Sequence, residues 1–206
     1  MVEEMLAARS IDVTYETVRR WALKFEQKIA KNIRHRPAAF GDKWHLDEVV
    51  LSINGRHWWL WRAVDQHGAV LNVLVQSRRN RQAAERLMRK LIRRHGLSRV
   101  MITDKLKSYA AAKADLGLKF EHRQHKGLYN RAENSNQPTR VCEKVTRRFK
   151  SACHLQRFAS VHDPVINIFQ HCRYNRDAKV KRAARAQAMK TWGLVSCALW
   201  MKNATT

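Results

Sequence analysis

An α/β fold, with a five-stranded sheet flanked by helices and a helical segment in front of it, is predicted by three features of this sequence. Apolar residues repeat at helical spacing up to about residue 26, strand-like stretches begin near residue 43, and beyond residue 76 helices and strands alternate. A chain of 206 residues can bury one sizeable core and still carry a small module beside it.

Residues 2 to 26 read as two helices around a short break. Val2, Met5 and Leu6 begin an apolar stripe, "SIDV" interrupts it, and Val18, Trp21, Ala22 and Phe25 resume it at the i, i+3, i+4, i+7 spacing of one helix face. Thr14 suits the N-cap of the second helix. Thr17, Arg20 and Lys24 lie on the opposite face. That face fits a helix-turn-helix whose second helix enters a DNA major groove, and it fits equally a helical hairpin with a solvated basic surface. Residues 27 to 42 combine a basic run with Pro37 and Gly41 and read as a linker.

"KWHLDEVVLSI" is rich in strand formers and ends at Asn54-Gly55, the strongest short signal for a hairpin. "RHWWLWRAV" follows, then a turn at "DQHG", then "AVLNVLVQ", so three antiparallel strands are expected in succession. In the second of them Trp59 and Trp61 share one face and Trp58 takes the other, which suits sheet packing. A helix capped by Asn80 turns Ala84, Leu87, Met88 and Leu91 inward and stops at Gly96. "SRVMITD" is a short buried strand ending at Asp104, "KLKSYAAAKADLG" is helical and "LKFEHRQ" is a strand. Residues from about 139 to 175 read as mainly helical and complete a core spanning 43 to 175. Residues 176 to 206 form a basic helical tail.

Charge narrows the class of function. The chain holds 41 Lys and Arg against 17 Asp and Glu, a formal net charge of +24, while 45% of residues are apolar. That describes a folded basic protein whose expected partner is a polyanion, nucleic acid before a membrane surface. No run of about 18 apolar residues is present, which argues against a membrane span. The N-terminus lacks a signal peptide's apolar stretch, so a cytoplasmic location is expected. Cys142, Cys153, Cys172 and Cys197 show no C-x-x-C spacing and read as reduced thiols.

Three carboxylates stand out against this basic background. Asp47 falls within the first core strand and Asp104 at the end of the fourth, where an open sheet presents groups to a ligand crevice. An Asp between "WHL" and "EVV" is costly to bury alone, and a divalent metal is one partner that removes the cost. Glu133 is the only acid between His122 and Cys142, with Arg123, Lys126, Arg131 and Arg140 around it. Together the three could hold two hard cations for phosphoryl transfer while the nearby cations bind phosphates. Taken singly, each acid has an ordinary reading. Asp47 could pair with Lys43 or Arg62, Asp104 could cap the helix of "KLKSY", and Glu133 could pair with Arg131 or Arg140.

The stretches "WHLDEV", "GRHWWLWRAVDQHGAVLNVLVQSRRN", "MITDKLKSY", "EHRQHKGLYNRAENSNQPTR" and "RRFKS" closely resemble the DDE transposases of bacterial insertion sequences, specifically the insertion-sequence six family. The resemblance runs from about residue 2 to residue 175. It implies an RNase H-like, integrase-type core with a mixed five-stranded sheet flanked by helices, behind a helix-turn-helix over residues 1 to 26. By the same resemblance Asp47, Asp104 and Glu133 are the catalytic, metal-binding acids, served by two Mg²⁺ ions with Mn²⁺ as a substitute. Arg140, seven residues past Glu133, matches a basic residue expected to contact DNA. The implied activity is metal-dependent DNA cleavage and strand transfer, with terminal inverted repeats and target DNA as partners and a homo-oligomer, at least a dimer, as the working form.

Two departures qualify the match. The family pattern reads "NNRAENSHQP", where this chain has Tyr129 and Asn136. Family members also begin some tens of residues earlier, which points to a truncated reading frame. The alternative function is therefore a catalytically silent, transposase-derived DNA-binding protein.

Overall fold

The computed structural model describes residues 2–36, 40–124, 136–137, 140–141, 143, 149–170 and 177–201. It divides into two compact units, one formed by residues 1–37 and 164–206 and the other by residues 38–163.

The larger unit is built on a five-stranded mixed sheet. Strands β1 (Lys43–Ile53), β2 (Arg56–Asp65) and β3 (Val70–Gln76) form an antiparallel meander, and β4 (Val100–Thr103) and β5 (Glu121–Gln124) add in parallel. The sheet order is β3-β2-β1-β4-β5. Helix α3 (Arg81–His95) joins β3 to β4, and α4 (Lys107–Asp115) joins β4 to β5. This is the mixed five-stranded sheet flanked by helices that the sequence predicts, in the expected order of elements.

Local chemistry explains the turns. Asn54 and Gly55 both adopt positive φ, 51° and 74°, which a two-residue hairpin matched to strand twist requires. At the next turn the buried Asp65 carboxylate accepts from the backbone amides of His67 at 2.8 Å, Ala69 at 2.9 Å and Gly41 at 3.1 Å. Asp65 therefore closes one hairpin and ties the entry to β1 onto it. Helix α3 starts where expected, with Asn80 Oδ1 accepting from the Ala83 amide at 3.0 Å, and ends at Gly96 with φ of 74°.

Strand alternation sends side chains to two cores. Trp44, Leu46, Trp61, Ala63 and Leu74 pack with Leu87, Met88 and Leu91 of α3 and Tyr109 of α4. On the other face Val49, Leu51, Leu60, Val64, Val73 and Val75 pack with Phe149 and with Leu155 and Ala159 of α5 (Ala152–Gln170). Trp59 joins the first core and Trp58 the second, as the alternation required. Within the second layer Arg62, 1% exposed, pairs with Asp163 of α5 at 3.3 Å.

The smaller unit contains α1 (Val2–Ala7), α2 (Tyr15–His35) and α6 (Ala178–Met201), with α2 packed on α6. A Schellman-type turn ends α1, with Ile11 N–H bonded to Leu6 O, Ser10 N–H to Ala7 O, and Ser10 at φ 58°. Two expectations are corrected here. Residues 27 to 35, read as linker, continue α2, because Phe25, Ile29, Ala30 and Ile33 keep the helical apolar spacing and Arg34 and His35 suit the negative helix end. Trp21 and Ala22, read as part of an apolar helix face, are exposed, and α1, six residues long, buries none of its own side chains.

Replacing the α3 cap, Asn80→Ala, is expected to destabilise the larger unit by about 1 kcal/mol through loss of one capping bond. Chemical denaturation of the variant against the parent measures it.

Candidate active site

Strands β1 and β4 run parallel, with Lys43 opposite Val100, Trp44 opposite Met101 and His45 opposite Ile102. Carrying that register two residues further sets Asp47 level with Asp104. The pairing itself stops short of this point, at the carboxyl end of β4, where an open sheet presents groups to a ligand crevice. Both acids are half-buried, and both carboxylates bear electrostatically on the Tyr109 hydroxyl. The structure thus brings two of the three expected acids together.

Each acid has a distinct setting. Asp47 Oδ2 accepts a hydrogen bond from Asn136 Nδ2 at 2.9 Å. Asn136 is 2% exposed, and its Oδ1 has no partner among the described residues. Asp104 Oδ1 accepts from the Leu106 backbone amide at 2.9 Å, and its Oδ2 accepts from Arg79 at 3.2 Å. The capping role weighed for Asp104 is therefore met as a short side-chain turn just ahead of α4, whose own N-cap position, Leu106, has no side-chain cap.

Glu48 follows Asp47 directly and points to the opposite face, where Trp44 and Leu46 lie. Its side chain is 1% exposed. Oε1 accepts from Arg79 Nε at 2.7 Å and from a terminal nitrogen of the same guanidinium, and Oε2 accepts from the Tyr109 hydroxyl at 2.7 Å. Burial raises the Glu48 pKa, while the bonds from Tyr109 and Arg79 pull it back down. Burial first, and then the charge of Glu48, hold the Tyr109 hydroxyl well above its ordinary value, so it remains a donor. For Arg79 burial opposes the charged form, but Glu48 and Asp104 outweigh it and the pKa is raised. The guanidinium also lies over the Trp59 ring, 5.1 Å from its centroid.

Sequence reasoning missed Glu48, Arg79 and Tyr109 and treated Asn136 only as a departure from a pattern. One signal was present: period-two alternation puts Glu48 on the same buried face as Trp44 and Leu46, and a buried acid requires a partner. No sequence pattern identifies Arg79 as that partner, because it comes from the turn after β3.

The other expected residues fall as follows. Glu133 and Arg131 lie outside the described residues, as does His125. Arg140 is helical and exposed. Thr17 is half-buried and belongs to the α2 cap, its amide and hydroxyl both meeting Thr14 Oγ1. Arg20 is exposed and pairs with Glu16 at 3.5 Å. Lys24 is exposed, its ammonium 5.4 Å from the Phe25 ring centroid. Among the described residues no three His, Cys, Asp or Glu side chains converge, and no described helix is long and apolar enough to cross a membrane.

A family model described as a DDE domain matches residues 41–172. The chain belongs to the DDE-domain transposase family. It is 29% identical over 115 residues to the transposase for insertion sequence element IS257 in transposon Tn4003 of Staphylococcus aureus, covering 55% of this chain and 50% of that one. The transposase for the insertion sequence-like element IS431mec, from Staphylococcus aureus strain Mu50, matches to the same extent. The chain therefore spans about half the length of the curated relatives it matches. Among solved structures, the HTLV-2 integrase catalytic core domain in complex with magnesium aligns at 15% identity and a TM-score of 0.42, over 60% of this chain and 87% of that chain. The BIV integrase catalytic core domain aligns at 13% identity and a TM-score of 0.40, over 58% and 82%.

Asp47 and Asp104 suit a hard cation. They offer carboxylate oxygens from adjacent strands, and Mg²⁺ is ordinarily held by one or two carboxylates with water completing its shell.

Thr103, next to Asp104, gives its single hydroxyl proton to the Asp104 carbonyl oxygen at 2.8 Å. His122 Nε2, 2.9 Å from Thr103 Oγ1, must then be the donor in that contact. Burial, and then Lys113, lowers the His122 pKa below 6.5. The neutral ring stabilises the fold above that ordinary value, and this contribution is lost as pH falls through the lowered one. An NMR titration of the His122 ring is expected to show a midpoint below 6.5; a midpoint at or above it contradicts the assignment.

Proposed function

We propose that this chain catalyses metal-dependent cleavage and strand transfer of insertion-sequence DNA. The observation that supports the reading best is the meeting of Asp47 and Asp104 at the open end of the parallel β1–β4 pair, inside the segment matched by the DDE-domain model. Asp47, Asp104 and Glu133 are the proposed ligands of two Mg²⁺ ions, for which Mn²⁺ can substitute. Bound there, the metal would polarise the phosphoryl oxygens and make a water or a 3′-hydroxyl a better nucleophile.

The protein's own groups do the rest. Asp47 is oriented by the Asn136 amide, and Asp104 by the Leu106 backbone N–H. These contacts fix the carboxylates before substrate arrives and lower the reorganisation needed for reaction. In cleavage, water oxygen bonds to phosphorus as the bond to the 3′-oxygen breaks. In transfer, the freed 3′-hydroxyl attacks a target phosphodiester, and the displaced target oxygen leaves. Arg131 and Arg140 are proposed to hold phosphates near the acids, and Thr17, Arg20 and Lys24 to contribute DNA contacts from α2. The net charge of +24 draws DNA to the protein. Joining two element ends to one target calls for at least a dimer.

Strand joining on duplex DNA bearing the element's terminal repeats tests the proposal. With Mg²⁺ or Mn²⁺ the parent is expected to give joined product and Asp104→Asn none, while both bind DNA with the same steep loss of affinity as salt rises. Joining that persists in Asp104→Asn rules out the assignment.

A further inference from the structure

Among the described residues the Arg79 guanidinium reaches Asp104, and its contacts are unequal. Two of its N–H groups go to Glu48 Oε1 and its face rests on Trp59, whereas Asp104 Oδ2 receives a single bond at 3.2 Å. Glu48 cannot release its partner cheaply. Its side chain is 1% exposed and its second oxygen is already taken by Tyr109, so losing Arg79 would leave a buried charge without a cation.

Asp104 is placed differently. Its side chain is 24% exposed, and Oδ1 is held by the Leu106 amide, so the carboxylate keeps its position when Oδ2 is freed. Two like-charged carboxylates at one level of a sheet repel each other unless a positive group lies nearby. Asp47 accepts from the Asn136 amide, and Asp104 accepts from the Arg79 guanidinium.

We propose that Arg79 is a positioning residue that stands in for the metal, neutralising Asp104 in the metal-free protein and yielding Oδ2 to a divalent cation while its anchor on Glu48 holds. This rests on the reading of Asp47 and Asp104 as metal ligands. Glu48, turned to the opposite face from Asp47, serves as the anchor and not as a ligand. The arrangement keeps the crevice preformed without metal, at the cost of a competition that weakens metal binding.

Mn²⁺ titration of the full chain, followed by the EPR signal of free Mn²⁺, tests the competition without any reliance on activity. Arg79→Gln removes the charge but retains an amide donor for Glu48, and it is expected to bind Mn²⁺ tighter by on the order of tenfold. Arg79→Lys keeps a charge and is expected to stay within about twofold of the parent. Equal or weaker binding by Arg79→Gln overturns the proposal and leaves the metal reading intact, whereas a parent that binds no Mn²⁺ overturns both. Should Arg79→Gln fail to fold, the unaltered protein supplies the answer. Saturation with Mg²⁺ is expected to shift the NMR signals of the Arg79 terminal nitrogens while the Nε–H bonded to Glu48 stays put. Terminal nitrogen signals that do not move overturn the proposal.

Discussion

The pairing of β1 with β4 is the constraint on which the larger unit depends. It joins an antiparallel meander, whose contacts are local in sequence, to a helix–strand–helix–strand segment that must return from the far side of α3. Only three residue pairs form the junction, from Lys43–Val100 to His45–Ile102. Their shortness matters, because the two strands separate just where Asp47 and Asp104 come level. A longer ladder would fill the crevice with backbone hydrogen bonds. A slip of one residue would send Asp47 to the face where Glu48 now lies.

That one-residue difference of face gives two neighbouring acids unlike surroundings. Asp47 looks toward the α5 side and meets Asn136, while Glu48 enters the core beneath α3 and α4 and needs both Tyr109 and Arg79. Buried ionic groups seldom add stability over an apolar replacement, because desolvation offsets their attraction. Their retention here has a positional logic: Glu48 fixes Arg79, Arg79 reaches Asp104, and the core is linked to the crevice through one guanidinium. Arg62 and Asp163 make a comparable buried pair in the opposite layer, between β2 and α5.

Much of this was legible in the sequence where the signal is local. Asn54-Gly55, the Asn80 cap, Gly96 and the inward face of α3 each follow from a residue's own backbone or hydrogen-bonding preference, and each is found as expected. Asp47 and Asp104 could be placed on their strands for the same reason. The end of α2 is hidden from a reading by composition, because its run of Lys, Arg and His resembles a linker while its apolar residues keep helical spacing as far as Ile33. The Arg79–Glu48–Tyr109 cluster was out of reach, since its members come from three separate segments and meet only after the sheet has closed. Asn136 was noticed for its difference from a pattern, yet its bond to Asp47 depends on a distance of 89 residues along the chain.

The central claim is that strand geometry, through β1 and β4, makes a shared cation site of Asp47 and Asp104. Its most direct test is a crystal of the chain soaked in Mn²⁺ and recorded at a wavelength where manganese scatters anomalously. The account predicts an anomalous peak bound by side-chain oxygens of both Asp47 and Asp104, with Arg79 still seated on Glu48. Saturating Mn²⁺ that leaves both carboxylates without a metal, or a peak held by other residues, would contradict it.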